Sequence, residues 1–269
     1  MAVGSEGAAR AWEQVLARVE GDLVEGRLQP GDHLPPERAL AAELGVGRSS
    51  VREGLRVLEV LGLISTSTGS GPQSGAVIVA RPTGGLASLI RLQVAAQGFA
   101  VPDVVKTRVV LESAVAVELA EMVRGGGSPE LAVALELLDA MDRDDAAAPA
   151  RAAAGGPPAG VLGRDEFLSL DQAFHRALAA ASGNEVLATM MAGLRDSIEA
   201  YVRLGAAGLD DWPATARRLR AEHRAVVAAI QAGDPAEAGL RIRLHIETYH
   251  AETLATGDAP AARPPEHPL

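Results

Sequence analysis

The sequence predicts a mainly α chain in two parts: three helices and a β-hairpin over residues 10–80, then an all-α bundle of about seven helices over 86–256. Three observations lead there. Apolar residues recur at three- and four-residue steps along most of the chain, the spacing of amphipathic helices. Only two short β-like runs occur, LISTST (63–68) and AVIVA (76–80), around the glycine-rich GSGPQSG. Finally, ARPTGG (80–85) punctuates the two periodic regions and reads as an interdomain joint, with 81–85 as the linker.

In the first part Trp12, Val15, Leu16, Val19 and Leu23 mark a helix that ends near Gly26. LQPGDHLPP interrupts the pattern, and Pro35 and Pro36 suit the first turn of a second helix because proline needs no N–H donor there. ERALAAEL carries that helix to Leu44, and Gly45 closes it. A third helix runs from about Ser49 to Leu61 on the apolar side of Val51, Leu55, Leu58 and Val60. Three helices followed by a hairpin outline a winged helix-turn-helix, whose third helix enters the DNA major groove.

The second part predicts helices at 85–97, 102–124, 129–142, 164–181, 184–206, 211–232 and 235–256. DDAAAPARAAAGGPPAG (144–160) lacks large apolar residues and is expected to be a disordered loop, as are the start (1–9) and the tail (257–269).

Composition narrows the function classes. The absence of cysteine excludes disulfides, thiolate metal sites and cysteine nucleophiles. The start MAVGSEGAAR does not resemble a secretory leader, and no apolar run reaches the about 20 residues of a membrane span, so a cytoplasmic protein is expected. With 35 acidic against 25 basic residues the chain carries a formal −10, which argues against indiscriminate nucleic-acid binding.

Within that acidic total, residues 38–56 hold four arginines against Glu43 and Glu53, a local +2. Arg48, Ser49, Ser50 and Arg52 sit at the start of the third helix, and Arg38 on the helix before it. An arginine can donate two hydrogen bonds to guanine, while serine hydroxyls and helix N-terminal amides suit phosphate. A solvated helix face is the alternative, above all for Arg56, and Glu53 is a candidate partner for a neighbouring arginine. The segment GDHLPPERALAAELGVGRSSVREGLRVLEVLGLI (31–64) resembles the amino-terminal domain of GntR-type bacterial transcription regulators. That resemblance implies DNA contacts from Arg38, Arg48 and Arg52, backbone contacts from Ser49 and Ser50, and a wing at Gly69 to Gly71 near the minor groove. Gly47 departs from the family's usual Ser or Thr and sacrifices a capping oxygen.

A second constellation lies in the bundle. Asp171 and His175 are four apart and share one helix face. His223 precedes Gly233 by ten residues and His245 follows Pro235 by ten, so an antiparallel hairpin turning there brings the two imidazoles level. Three histidines and one carboxylate then converge in the core, a donor set for a divalent metal, with zinc placed first and nickel, iron or manganese left open. Each of these histidines could instead be a buried, hydrogen-bonded side chain. RVVLESAVAVELA (108–120), DQAFHRALAAASGN (171–184) and EHRAVVAAIQAGDPAEA (222–238) resemble the FCD effector domain of the FadR branch of GntR regulators, over about Leu86 to Leu254. This resemblance implies Asp171, His175, His223 and His245 as metal ligands and Arg108 as the receptor of an effector carboxylate. Arg108 could otherwise form an exposed i, i+4 pair with Glu112, worth about 0.3–0.5 kcal/mol. His33, His250 and His267 match no ligand position.

Together these features point to a transcription regulator, read as a repressor rather than an enzyme. It would act as a homodimer on a short palindromic operator of double-stranded DNA, under control of a small organic acid, with no membrane partner. The competing class is a metal-dependent hydrolase or lyase built on the His/Asp site. Against it, the nearest base, Glu222, adjoins His223 in sequence and is expected to point away. A ligand-binding bundle without DNA activity is the third reading.

Overall fold

The computed structural model describes residues 4–67, 75–79, 85–96, 98–153 and 162–255, which fall into two compact units, 1–86 and 87–269. Among these residues there are ten helices and a single two-stranded sheet. No helix is long and apolar enough to cross a membrane among the described residues.

The first unit is built from α1 (Gly4–Val24), α2 (Glu37–Leu44), α3 (Arg48–Val60), β1 (Ile64–Ser67) and β2 (Gly75–Ile78). Val15, Val19, Leu40, Val51, Leu58 and Ile64 are almost wholly buried and form one apolar cluster, so the sequence periodicity marks the faces that pack. Pro36 stands one position outside α2, as its N-cap, and its carbonyl accepts from the Ala39 and Leu40 amides at 2.8 and 3.1 Å. The expected proline start of this helix is thus shifted outward: Pro35 precedes a second proline and is itself biased away from helical geometry. The hairpin pairs antiparallel, Ile64 opposite Ile78 and Ser67 opposite Gly75. The wing tip with Gly69 and Gly71, residues 81–84 of the linker, and the tail lie outside the described residues.

One glycine sets how closely two of these helices approach. A Cβ on Gly54 of α3 would lie 2.7 Å from the Val15 Cβ and 3.2 Å from the Trp12 carbonyl oxygen of α1. Ala normally gains roughly 0.5–1 kcal/mol over Gly inside a helix. Here the neighbours are a backbone oxygen and a Cβ, which cannot swing aside, so overpacking wins. Gly54→Ala is expected to lose about 1–3 kcal/mol of stability in denaturant melts; a stabilised variant would show that α1 and α3 are not tightly apposed.

The second unit comprises α4 (Gly85–Ala95), α5 (Val101–Arg124), α6 (Ala132–Ala153), α7 (Arg164–Ala181), α8 (Glu185–Ala207), α9 (Trp212–Gln231) and α10 (Pro235–Ala255). Leu119, Leu138, Met141, Phe167, Phe174 and Ile230 lie at the centre of its core. α10 packs against α5 and α9. The α9–α10 turn depends on Gly233, whose φ of +66° suits glycine and whose absent Cβ leaves room for the Arg124 backbone.

Two expected boundaries move. Helix α1 begins at Gly4, inside the stretch expected to be disordered, and α6 runs on through Ala153 where a loop was expected from 144. Six of residues 146–153 are alanine, the residue most favourable to helix. The remainder of that expected loop, 154–160, is outside the described residues.

Candidate functional site

Asp171 and His175 project from α7, His223 from α9 and His245 from α10. One ligand atom from each lies within 4.8 Å of all the others. The His223 Nε2 is 3.1 Å from Asp171 Oδ1 and 3.2 Å from His245 Nε2, and His175 Nε2 is 3.7 Å from Asp171 Oδ1. The α9–α10 hairpin therefore does what the equal spacing about its turn predicts. Two nitrogens bound to one zinc at about 2.0–2.1 Å stand roughly 3.3 Å apart in a tetrahedron, so the His223–His245 separation fits a shared cation.

Electrostatics favour the protonation states a metal needs. Burial, with the neighbouring His245, pushes the His223 pKa down to about 3, so its imidazole is neutral at ordinary pH. Burial also lowers His245. Burial alone would raise Asp171, but Arg195 and the histidines hold its carboxyl well below the usual range. Neutral imidazoles and an ionised carboxylate are the ligand forms for a divalent ion.

The nitrogens turned away from this cluster meet carboxylates. His175 Nδ1 lies 2.5 Å from Glu112 Oε2 on α5, and His245 Nδ1 lies 2.8 Å from Glu222 Oε2 on α9. Such outer carboxylates fix imidazole tautomer and orientation and raise ligand basicity. Glu222 was expected to point away from the helix face of His223. It does leave the face of its own helix neighbour His223, but its side chain reaches across to α10 and meets His245.

Arg108 lines one cavity with Asp171, Arg195, His245, Tyr249 and His250. Its Nε also donates to Glu112 at 2.8 Å, so the i, i+4 pair forms as well. That pair is not on the surface: Arg108 is 8% and Glu112 5% exposed. Burial would raise the Glu112 carboxyl, yet Arg108, His175 and Arg195 hold it well below its usual range. Arg195, from α8, donates to Glu112 at 3.3 Å and to Asp171 at 2.6 Å. Sequence reasoning missed Arg195 entirely, since 83 residues separate it from Glu112 and no local spacing links them. It also left His250 without a role, whereas that ring borders the cavity. His33 is exposed beside β2, and His267 lies outside the described residues.

In the first unit, Arg38, Arg48, Ser49 and Arg52 are exposed and Ser50 is partly so. Gly47 caps α3 without a side-chain bond. The carboxylate against Arg52 is Glu37 of α2 rather than Glu53: Arg52 donates to it at 3.2 and 2.9 Å, and Arg48 is 3.8 Å away. Glu43 is engaged by Arg18 of α1 at 2.7 Å. Exposed pairs of this kind are worth little to stability; their effect is to orient the guanidinium groups.

The FCD domain matches residues 103–248, and the family described as bacterial regulatory proteins, gntR family, matches residues 11–72. A protein of Escherichia coli (strain K12) named as an L-lactate dehydrogenase operon regulatory protein is 26% identical over 254 residues, covering 94% of this chain and 90% of the relative. The Glc operon transcriptional activator of the same organism is 27% identical over 236 residues, covering 88% and 86%. Among solved structures, a Streptococcus agalactiae GntR protein superimposes with a TM-score of 0.53 at 22% identity, covering 89% of this chain and 99% of that one, which supports the fold.

Proposed function

Because the chain belongs to the gntR family of bacterial regulatory proteins, with an FCD domain following its DNA-binding unit, we propose that it is a transcription regulator whose operator affinity is set by a small carboxylate bound beside a divalent metal. The regulator class itself follows from the family of both units, which also answers the catalytic reading of the His/Asp cluster. The observation that carries the finer statement is that Arg108 shares one cavity with Asp171 and His245, two of the four candidate ligands. Asp171, His175, His223 and His245 would hold the ion, zinc first, with nickel, iron or manganese as alternatives. A bound divalent ion supplies positive charge for an anionic ligand, and Arg108 supplies a planar fork for its carboxylate.

On DNA, Arg38, Arg48 and Arg52 would contact the operator, Ser49 and Ser50 its backbone, and the wing around Gly69 and Gly71 the minor groove. Winged helices read paired half-sites, so a homodimer on a short palindrome is the assembly we propose. Repression is the sign we adopt, because occupancy of an operator is enough to block a promoter. A ligand shifts such an equilibrium only through its different affinity for the two states.

Gel-shift titration of the metal-loaded protein on the DNA upstream of its own gene, with and without a panel of mono- and dicarboxylates, tests this. One acid is expected to move the binding midpoint about 5- to 150-fold. Arg108→Ala should abolish that response while leaving ligand-free DNA binding intact. DNA binding that no acid alters would defeat the carboxylate control.

A further inference from the structure

We propose that Arg195 is the positioning residue that sets which divalent ion the His/Asp centre prefers. It withholds one oxygen of Asp171 and, through Glu112, holds His175, so that imidazole-seeking ions such as zinc are taken over oxygen-seeking ions such as manganese. This rests on the metal binding proposed above and chooses among the ions that the four ligands leave open there.

The two oxygens of Asp171 face opposite partners. Oδ1 is 3.1 Å from His223 Nε2 and 3.7 Å from His175 Nε2, on the side where the ligand nitrogens converge. Oδ2 accepts from Arg195 Nη2 at 2.6 Å. The other terminal nitrogen, Nη1, donates to Glu112 at 3.3 and 3.4 Å, and Glu112 Oε2 lies 2.5 Å from His175 Nδ1. One guanidinium from α8 thus reaches two of the four ligands, one directly and one through a carboxylate. Arg195 is buried, so these bonds are little screened by salt. Its planar fork also fixes both carboxylates in one relation, which the point charge of a lysine does not impose.

Both arrangements act against hard cations. Calcium, magnesium and manganese are bound chiefly by carboxylate and other oxygens, whereas imidazole suits zinc and nickel. With Oδ2 engaged, Asp171 offers an ion a single oxygen beside three imidazole nitrogens. The charge that would draw an oxygen-seeking ion is also answered in advance. The Asp171 and Glu112 carboxylates are matched by two guanidiniums, Arg195 and Arg108, the latter 2.8 Å from Glu112. Glu222, behind His245, is paired with Arg218 at 2.5 Å. A divalent ion therefore adds its two positive charges to carboxylates already neutralised, and its affinity must come mainly from the nitrogens. Removing Arg195 reverses both effects, since it frees the second Asp171 oxygen and leaves one carboxylate charge unmatched.

The test titrates the metal-stripped full chain, Arg195→Gln and Arg195→Lys with zinc chloride and with manganese chloride against a competing chelator. The quantity read is the zinc-to-manganese affinity ratio of each protein. It should fall about 10- to 100-fold in Arg195→Gln, the range in which outer-sphere partners act. Arg195→Lys keeps the charge without the fork, and its ratio should fall by less. A purely structural loss would weaken both ions in parallel and leave the ratio where it was. Should Arg195→Gln not fold, the lysine variant, with its charge and most of its length retained, decides alone. A ratio that stays at the wild-type value in every folded variant, or a wild-type preference for manganese, overturns the proposal and leaves the metal centre standing. If the wild-type chain takes up neither ion, the centre and this proposal fall together.

Discussion

Protein purified with His223→Ala and His245→Ala together is expected to carry no tightly held divalent metal, where the unaltered chain retains one through dialysis. Those two imidazoles supply facing nitrogens 3.2 Å apart, and burial keeps His223 neutral by lowering its pKa to about 3. Binding at neutral pH therefore needs no proton release from His223, and the ordering of the ligands is already present in the packed bundle. Elemental analysis of both proteins decides the matter, and equal metal content would remove the site. Glu222→Gln gives a graded version: it keeps the fold but weakens the carboxylate that holds His245, so affinity should fall about 10- to 100-fold, the range for outer-sphere partners. The same burial fixes the pH response of the metal-free protein. His223 titrates near 6.5 when unfolded and near 3 when folded, so the unfolded chain binds the extra proton between those values. Stability is then full above about 6.5 and falls as pH drops, by up to about 1.4 kcal/mol per unit. Asp171 and Glu112 work at the acid end instead: their folded values are depressed, so their contribution fades only below the ordinary carboxylate range. Urea melts at pH 7 and pH 5 should show the loss, and the double variant should flatten it.

How far this site could be read from the sequence depended on whether its geometry is local. Asp171 and His175 are one helical turn apart, and His223 and His245 are equidistant from a glycine–proline turn, so periodicity and symmetry alone bring them together. Helix positions were legible for the same reason, since a 3.6-residue apolar repeat survives wherever one face must be buried. Arg195 and Glu112 meet only through the packing of α8 against α5, and nothing in either segment's spacing encodes that contact. Glu222 does leave the face of His223, as the backbone argument expects, and what that argument did not reach is its contact with His245. Consecutive residues do diverge on a helix, but the length of a glutamate side chain lets it serve the helix alongside. The alanine-rich end of α6 was read as a loop because the lack of large apolar residues was taken as absence of helix, yet the helix runs to Ala153 and alanine is the strongest helix former.

On the DNA side, Arg48→Ala combined with Arg52→Ala is expected to abolish specific operator binding while leaving the fold and the metal content intact. Both side chains are exposed, so their removal creates no cavity, and their bonds to Glu37 are surface bonds of small worth. At the proposed operator contact the balance would reverse, because each bidentate arginine contact to guanine discriminates by about 1–3 kcal/mol. In the homodimer proposed above each contact would be made twice, which would multiply the effect. The background against which it is read is low: residues 1–80 hold seven arginines against ten acidic residues, a net −3. Non-specific affinity comes from neutralising phosphates, so this unit should have little of it and a shallow salt dependence. On the proposed reading specific binding would depend on a few oriented side chains, and the carboxylate that holds Arg52 is Glu37. Glu37→Gln separates aim from charge. It makes the local surface more positive and should raise affinity for scrambled DNA, yet it frees the Arg52 guanidinium and should lower discrimination between operator and scrambled sequence. The two arginines share one carboxylate, so their single-variant losses should not add. Anisotropy titrations on the upstream DNA and a scrambled duplex, at two salt concentrations, resolve these terms. Operator binding undiminished in the Arg48/Arg52 double variant would overturn the assignment of α3 as the reading helix.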